Sequence, residues 1–180
     1  MVTVIKFCVV NYPGFSMKVY ISNGELRQEN IRRHVMLTRV CSGGVVFFEN
    51  RVLILKNEKS EWVLPKGVIR PGRLAQETAI ERVKLEAGVN ARILSYVGET
   101  CYEFYSVTRQ RPVCNQITWF LMEAVSDSCS PNTNLNFFDG GFFPIEEALE
   151  KITYSQDKSL VRMSYKRYLD FHKERDEITV

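Results

Sequence analysis

The chain has 180 residues, of which 45% are hydrophobic and 25% charged, with a net charge of +3. That suits one globular domain with its own core. The charge is too small to argue for nucleic acid or a membrane surface, and no apolar run approaches the roughly 18 residues a membrane helix needs. The arginines at 32, 33 and 39, and at 109 and 111, read as solvated surface.

The first segment, MVTVIKFCVV, is apolar but short, and Lys6 interrupts it. It lacks the order of a signal peptide and reads as a strand. MKVYIS follows a turn-forming Asn-Tyr-Pro-Gly stretch, and Asn23-Gly24 is a hairpin signal. Residues 1–34 are therefore expected to form a β-extension of the domain that occupies 35–180. This extension could cover a cleft, build a dimer or enlarge the core, so oligomerisation stays open.

Val45–Phe48 and Val52–Leu55 are apolar runs on either side of Glu49-Asn50-Arg51. They predict neighbouring strands, at least one buried on both faces. Pro65-Lys66-Gly67 breaks this pattern. A helix is predicted from about Leu74 to Ala87, with Ala75, Ala79 and Val83 as its buried stripe and Gly88 as a left-handed C-cap. Three further strands are expected: ARILSYVGE, CYEFYSV and NQITWFLMEAV. An exposed loop follows at DSCSPNTNLNF, then a short helix at 145–152. Ser155 is expected to cap a final helix that turns Val161, Tyr165, Tyr168 and Leu169 to the core. This order fits one mixed β-sheet with helices packed on its faces.

The cysteines at 8, 41, 101, 114 and 129 are odd in number and form no CxxC pair. They read as reduced thiols of a cytoplasmic protein. His34 and His172 have no zinc-finger spacing to a cysteine.

The segment LPKGVIRPGRLAQETAIERVKLEAGV resembles the box of the Nudix (MutT-like) superfamily. The family pattern is Gly, five residues, Glu, seven residues, then Arg-Glu-apolar-x-Glu-Glu-x-Gly-apolar. Gly67, Val83, Glu86, Gly88 and Val89 occupy matching places. SGGVVFF before the box and FFPIEEALE after the last expected strand extend the resemblance over roughly residues 38 to 152. It implies the Nudix fold: an α/β/α mixed sheet sandwiched between helices. The LPKG lead-in is most like the branch that hydrolyses diadenosine polyphosphates and diphosphoinositol phosphates.

The departures lie at the metal-binding positions. Where the family has its first Glu this chain has Arg73, its Arg-Glu pair is Glu81-Arg82 in reversed order, and Leu85 replaces the first of its paired glutamates. Of the three carboxylates that hold metal in the family, Glu86 alone remains. Positions 82, 85 and 86 fall within roughly 100° of one another on a helix. A dication about 4 Å from Arg82 would be repelled by roughly 8 kcal/mol at an effective dielectric of 20 and by roughly 2 kcal/mol in bulk water. Arg82 is therefore expected to neutralise Glu86. In the family the first Glu and the Arg of the box commonly form a salt bridge, so the resemblance implies an Arg73–Glu81 bridge with both signs exchanged.

Around this box, Lys56, Lys66, Arg70, Arg73 and Arg82 are candidate phosphate contacts, with a solvated surface the alternative for Lys56. Glu99 and Glu103 are the carboxylates that would join Glu86 as metal ligand or general base if the protein is active. Glu77 projects from the wrong side of the helix. Tyr102 could stack a nucleobase, while Phe104, Trp62 and Trp119 read as core. Three functions follow. One is a nucleotide- or phosphate-binding Nudix-fold protein that needs no metal. The second is an Mg²⁺- or Mn²⁺-dependent pyrophosphohydrolase of nucleoside-diphosphate-linked substrates. The third is a protein-interaction scaffold.

Overall fold

Continuous runs of valine, leucine and phenylalanine make the centre of the sheet. The computed structural model describes residues 36–178, with side chains to Glu174. Strand β1 spans Leu37–Phe48 and β2 spans Arg51–Asn57, joined at Glu49, whose φ is 51°. Val45 to Phe47 and Val52 to Leu55 are wholly buried. Such burial requires cover on both faces, which is why these strands lack apolar–polar alternation. Short strands β3 (Trp62–Val63) and β4 (Lys66–Val68) follow, then helix α1 (Ala75–Ala87). Next come β5 (Ala91–Ser106), β6 (Arg111–Ala124), β7 (Phe137–Pro144), α2 (Ile145–Lys151) and α3 (Ser155–Ile178).

The sheet order is β3-β2-β1-β6-β5, with β4 also paired to β1 and β7 to β2. β1 and β6 run parallel and the other pairs antiparallel, so the sheet is mixed. The two faces carry separate cores. Val46, Leu55, Phe120 and Met122 pack with Ala79 and Val83 of α1. Val45, Phe47, Trp119 and Leu121 pack with Ala148 of α2 and with Val161 and Tyr168 of α3. This is the α/β/α arrangement expected from the sequence.

The sheet divides at β1. β1 pairs with β2 only at Phe47 and Phe48, then takes β4, with Cys41, Ser42 and Gly43 opposite Val68, Gly67 and Lys66. β2 runs on with β3 and β7. Gly43 makes the close approach of β4 possible. A Cβ there would lie 2.6 Å from the Pro65 carbonyl oxygen and 2.6 Å from the Trp119 ring. The amide of Gly44 donates to that same Pro65 oxygen at 3.1 Å.

Helix α1 ends as expected. Gly88 takes φ 71° and its amide reaches the Lys84 carbonyl at 2.9 Å. At the other end the Glu77 carboxylate accepts from the Leu74 amide at 3.2 Å. Glu77 therefore caps the helix.

One expectation fails, and one strand has no counterpart among the predicted elements. ARILSYVGE and CYEFYSV are one strand, β5, because β6 offers a continuous antiparallel partner from Ala91↔Ala124 to Ser106↔Arg111. Register shifts at Ile93/Ser95 and Tyr96/Gly98 absorb the irregularity that Gly98 introduces. The segment FFDGGFFP is also a strand, β7, although Asp-Gly-Gly has poor strand propensity. Its pairing with β2 from Arg51↔Pro144 to Asn57↔Phe137 decides the matter. The expected β-extension over 1–34 lies outside the described residues. No described helix is long and apolar enough to cross a membrane.

Gly43→Ala forces a methyl group against backbone and a buried indole. The substitution is expected to cost about 1–3 kcal/mol, read as a lower urea midpoint with unchanged slope.

Candidate functional site

Where β1 leaves β2 for β4, the chain places Lys66 and Gly67 opposite helix α1. Glu86, on the inward face of α1, is 2% exposed. Its Oε2 accepts from the backbone amide of Lys66 at 3.1 Å. Its Oε1 accepts from Nε of Arg82 at 3.1 Å, and Nη2 of Arg82 forms an ion pair with the same oxygen. Both carboxylate oxygens are thus engaged by the protein. Burial pushes the Glu86 pKa up, opposed by Arg82, by the Lys66 charge and by the Lys66 amide.

Gly67 is what lets Arg82 lie there. A Cβ at 67 would fall 2.3 Å from Arg82 Nε and 2.5 Å from its Cδ. The loop before α1 carries the second ion pair, Arg73 Nη2 to Glu81 Oε2 at 3.1 Å, with both side chains nearly half exposed. Such a pair contributes at most about 1 kcal/mol. Leu85 is exposed at 43%, and its carbonyl accepts from Asn132 Nδ2 at 3.0 Å. Arg82 and Glu86 therefore turn towards β4, and Leu85 stands outside them.

Glu86 opens onto a cavity of about 660 Å³. Lys66, Glu103 and Tyr102 line it too, so four of the residues singled out in the sequence come together. The Lys66 ammonium donates to the Leu64 carbonyl at 3.3 Å and stands 5.9 Å from the centre of the Trp119 ring. The Tyr102 hydroxyl accepts from Asn115 Nδ2 at 2.7 Å, and its ring stacks on Phe104 at 5.9 Å. Phe104 lines the cavity and is only half-buried, so it is not core. Trp119 is core, and Trp62 packs at the core's margin. Lys56, Arg70, Arg73, Arg82 and Glu99 are not among the lining residues. Glu99 instead accepts from Gln116 Nε2 at 3.2 Å.

The rest of the lining escaped the sequence reading. Asn57, Lys59 and Glu61 come from the end of β2 and the turn after it, Phe137 from β7, and Tyr154 to Asp157 from the start of α3. Glu61 accepts from Asn57 Nδ2 and from the Tyr154 hydroxyl, each at 2.8 Å. The Asn57 hydrogen bond holds Glu61 below its usual range. Asp157 is 8% exposed and makes no hydrogen bond or ion pair among the described residues. Burial pushes its pKa up, against the pull of Lys66. A signal for it was present. Asp157 shares the α3 stripe of Leu160, Val161, Ser164 and Tyr168, all buried, and a carboxylate on a buried stripe needs a reason.

The side-chain donors do not by themselves fit a resident divalent ion. Glu86 has both oxygens occupied, a guanidinium lies on it, and no described group of three or more His, Cys, Asp or Glu is placed to hold a metal.

Three comparisons bear on this geometry. A model of the NUDIX domain matches residues 37–163. The putative mutator protein MutT4 of Mycobacterium tuberculosis is 30% identical over 103 residues, which is 57% of this chain and 40% of that relative. The match therefore spans less than half of that protein. Among solved structures, an Ap4A hydrolase binary complex from C. elegans superposes with a TM-score of 0.59 at 18% identity, over 73% of this chain and 98% of that one. A NUDIX hydrolase from Nitrosomonas europaea gives 0.58 at 19% identity, over 75% and 74% of the two chains. An ADP-ribose pyrophosphatase from Streptococcus suis gives 0.54 at 16% identity, over 72% and 91%. At these identities the structural likenesses establish the fold alone. With a domain match that covers most of its length and a sheet that divides around the box helix, the chain belongs to the Nudix family.

Proposed function

We propose that this protein binds a phosphorylated, nucleotide-like small molecule in the cavity beside Glu86, with metal-dependent pyrophosphohydrolase chemistry weak or lost. The observation that carries this reading is the double engagement of Glu86. Arg82 lies on one of its oxygens and the Lys66 amide donates to the other. A carboxylate so held is a poor ligand for Mg²⁺ or Mn²⁺, and the adjacent guanidinium repels a dication.

The cavity also carries what such a ligand needs. Lys59 and Lys66 offer cations for phosphate oxygens, and the first turn of α3 opens into the same space. The Tyr102–Phe104 pair presents aromatic surface to a ring. Asp157, with no partner of its own, suits a hydrogen-bond-donating edge of the ligand.

One observation favours an active hydrolase instead. Glu61, Glu86, Glu103 and Asp157 line the cavity against only two lysines. A ligand that brought its own metal would offset this surplus, its phosphates completing the coordination. Glu86 would then be the carboxylate nearest the chemistry.

Thermal unfolding separates the two. Nucleoside diphosphates, ADP-ribose and diadenosine polyphosphates are added at about a hundred times their dissociation constants, with Mg²⁺ or with chelator. The first reading expects at least one of them to raise Tm by about 5–10 °C equally in both conditions. Stabilisation confined to Mg²⁺, together with phosphate products that disappear in Glu86→Gln, establishes the second.

The Arg82–Glu86 pair has its own test. Arg82→Met leaves a buried carboxylate unpaired and is expected to cost about 3 kcal/mol at neutral pH, the low end for such a loss because Arg82 is 27% exposed. The sign in acid follows from the raised Glu86 pKa. Protonation removes the uncompensated charge, so the variant's deficit shrinks as pH falls through the carboxylate range. Urea titrations at neutral and mildly acidic pH measure both.

Arg82→Glu combined with Leu85→Glu restores two acidic positions on α1. Calorimetry of the double variant is expected to detect Mn²⁺ uptake that the wild-type chain lacks.

A further inference from the structure

We propose that Cys101 and Cys114 are a modification site: a low-molecular-weight disulfide such as oxidised glutathione converts them to a reversible disulfide across the β5–β6 hairpin. The observation is their contact. The two Sγ atoms are 2.7 Å apart. A disulfide bond is about 2.05 Å long, so small side-chain rotations close the gap without a change of backbone register.

The strand pairing explains why the thiols meet. Cys101 stands opposite Gln116 and Cys114 opposite Glu103, with the Tyr102↔Asn115 pair between them. The cysteines are therefore diagonal neighbours on one face of an antiparallel pair, and their side chains reach towards each other across it. Tyr102 and Asn115 point to the opposite face, towards the cavity.

The two thiols are unequal. Cys101 is exposed and Cys114 half-buried. The hydrogen bond to Cys101, with burial and the charge of Glu103, pushes the Cys114 thiol up to about 11. Cys101, the more exposed of the two, is the sulfur an oxidant reaches first. The other described cysteines offer no such pair. Cys41 is buried, and burial pushes Cys129 up to about 11.

The step balances. Cys101 loses its proton to solvent and its thiolate attacks one sulfur of the small disulfide. That S–S bond breaks, and one small thiolate leaves and is protonated. Cys114 then loses its proton and attacks Cys101 Sγ in the mixed disulfide, releasing the second small thiol. The protein loses two electrons and two protons, and the small disulfide gains them.

The bond would tie β5 to β6, its one strand partner among the described residues, beside Tyr102, Glu103 and Phe104 of the cavity wall. The full chain, fully reduced and then incubated with excess oxidised glutathione, is alkylated and mapped by peptide mass spectrometry. The expected product is a Cys101–Cys114 linked peptide that dithiothreitol reverses. Cys114→Ser is expected to stop at a glutathione adduct on Cys101. Cys101→Ser is expected to slow modification of position 114 by at least about tenfold. Amide exchange over 101–106 is expected to slow in the linked form. The proposal is overturned if exhaustive oxidation leaves both thiols alkylatable, if Cys101 links to a different cysteine, or if the linked form exchanges those amides as fast as the reduced one.

Discussion

A buried carboxylate that must be satisfied organises this molecule. Glu86 sits where β1 gives up β2 for β4, and an ionised group so far from water costs several kcal/mol unless it is paired and hydrogen-bonded. The Lys66 amide and the Arg82 guanidinium supply those partners. Each depends on a glycine. Gly43 lets the chain before β4 press against β1, and Gly67 leaves room for Arg82 to cross it. Helix, short strand and split sheet thus meet at one polar contact set.

The same contact set governs what the cavity can do. Its walls come from β2, β3, β4, β5, β7 and both long helices, so its shape belongs to the fold and not to one loop. Its charges fall into two groups. Glu86 and Glu61 are bound within the protein, whereas Asp157 and Glu103 have no hydrogen bond or ion pair among the described residues. The first pair shapes the pocket and Asp157 is free to meet a ligand, whereas Glu103 lies on the Cys101–Cys114 face of β5, turned away from Tyr102.

The box helix and its glycines were legible in the sequence because their signals are local. Apolar spacing of four residues, a C-cap glycine and a fixed motif frame need no distant partner. The ion pair at 82–86 could likewise be anticipated from helical geometry, and that at 73–81 from the resemblance to the family's box. β5 was read as two strands and β7 was not anticipated, because their pairing partners β6 and β2, far away in the chain, override Gly98 and the Asp139-Gly140-Gly141 run. Half of the cavity was missed for a related reason. Asn57, Glu61 and Asp157 converge only after the start of α3 is brought beside the end of β2, and no spacing in the sequence encodes that.

The position of β5 has a consequence for association. It is sixteen residues long and stands at the end of the strand order, so one side of its backbone ladder is left open among the described residues. A long straight strand in that position would template growth by further chains. The register shifts at Ile93/Ser95 and Tyr96/Gly98 break the regular spacing of its amides and carbonyls near one end. A neighbouring copy would therefore find no regular ladder over residues 91–97, whereas the stretch 98–106 keeps an unbroken register and is the part of this edge open to pairing among the described residues.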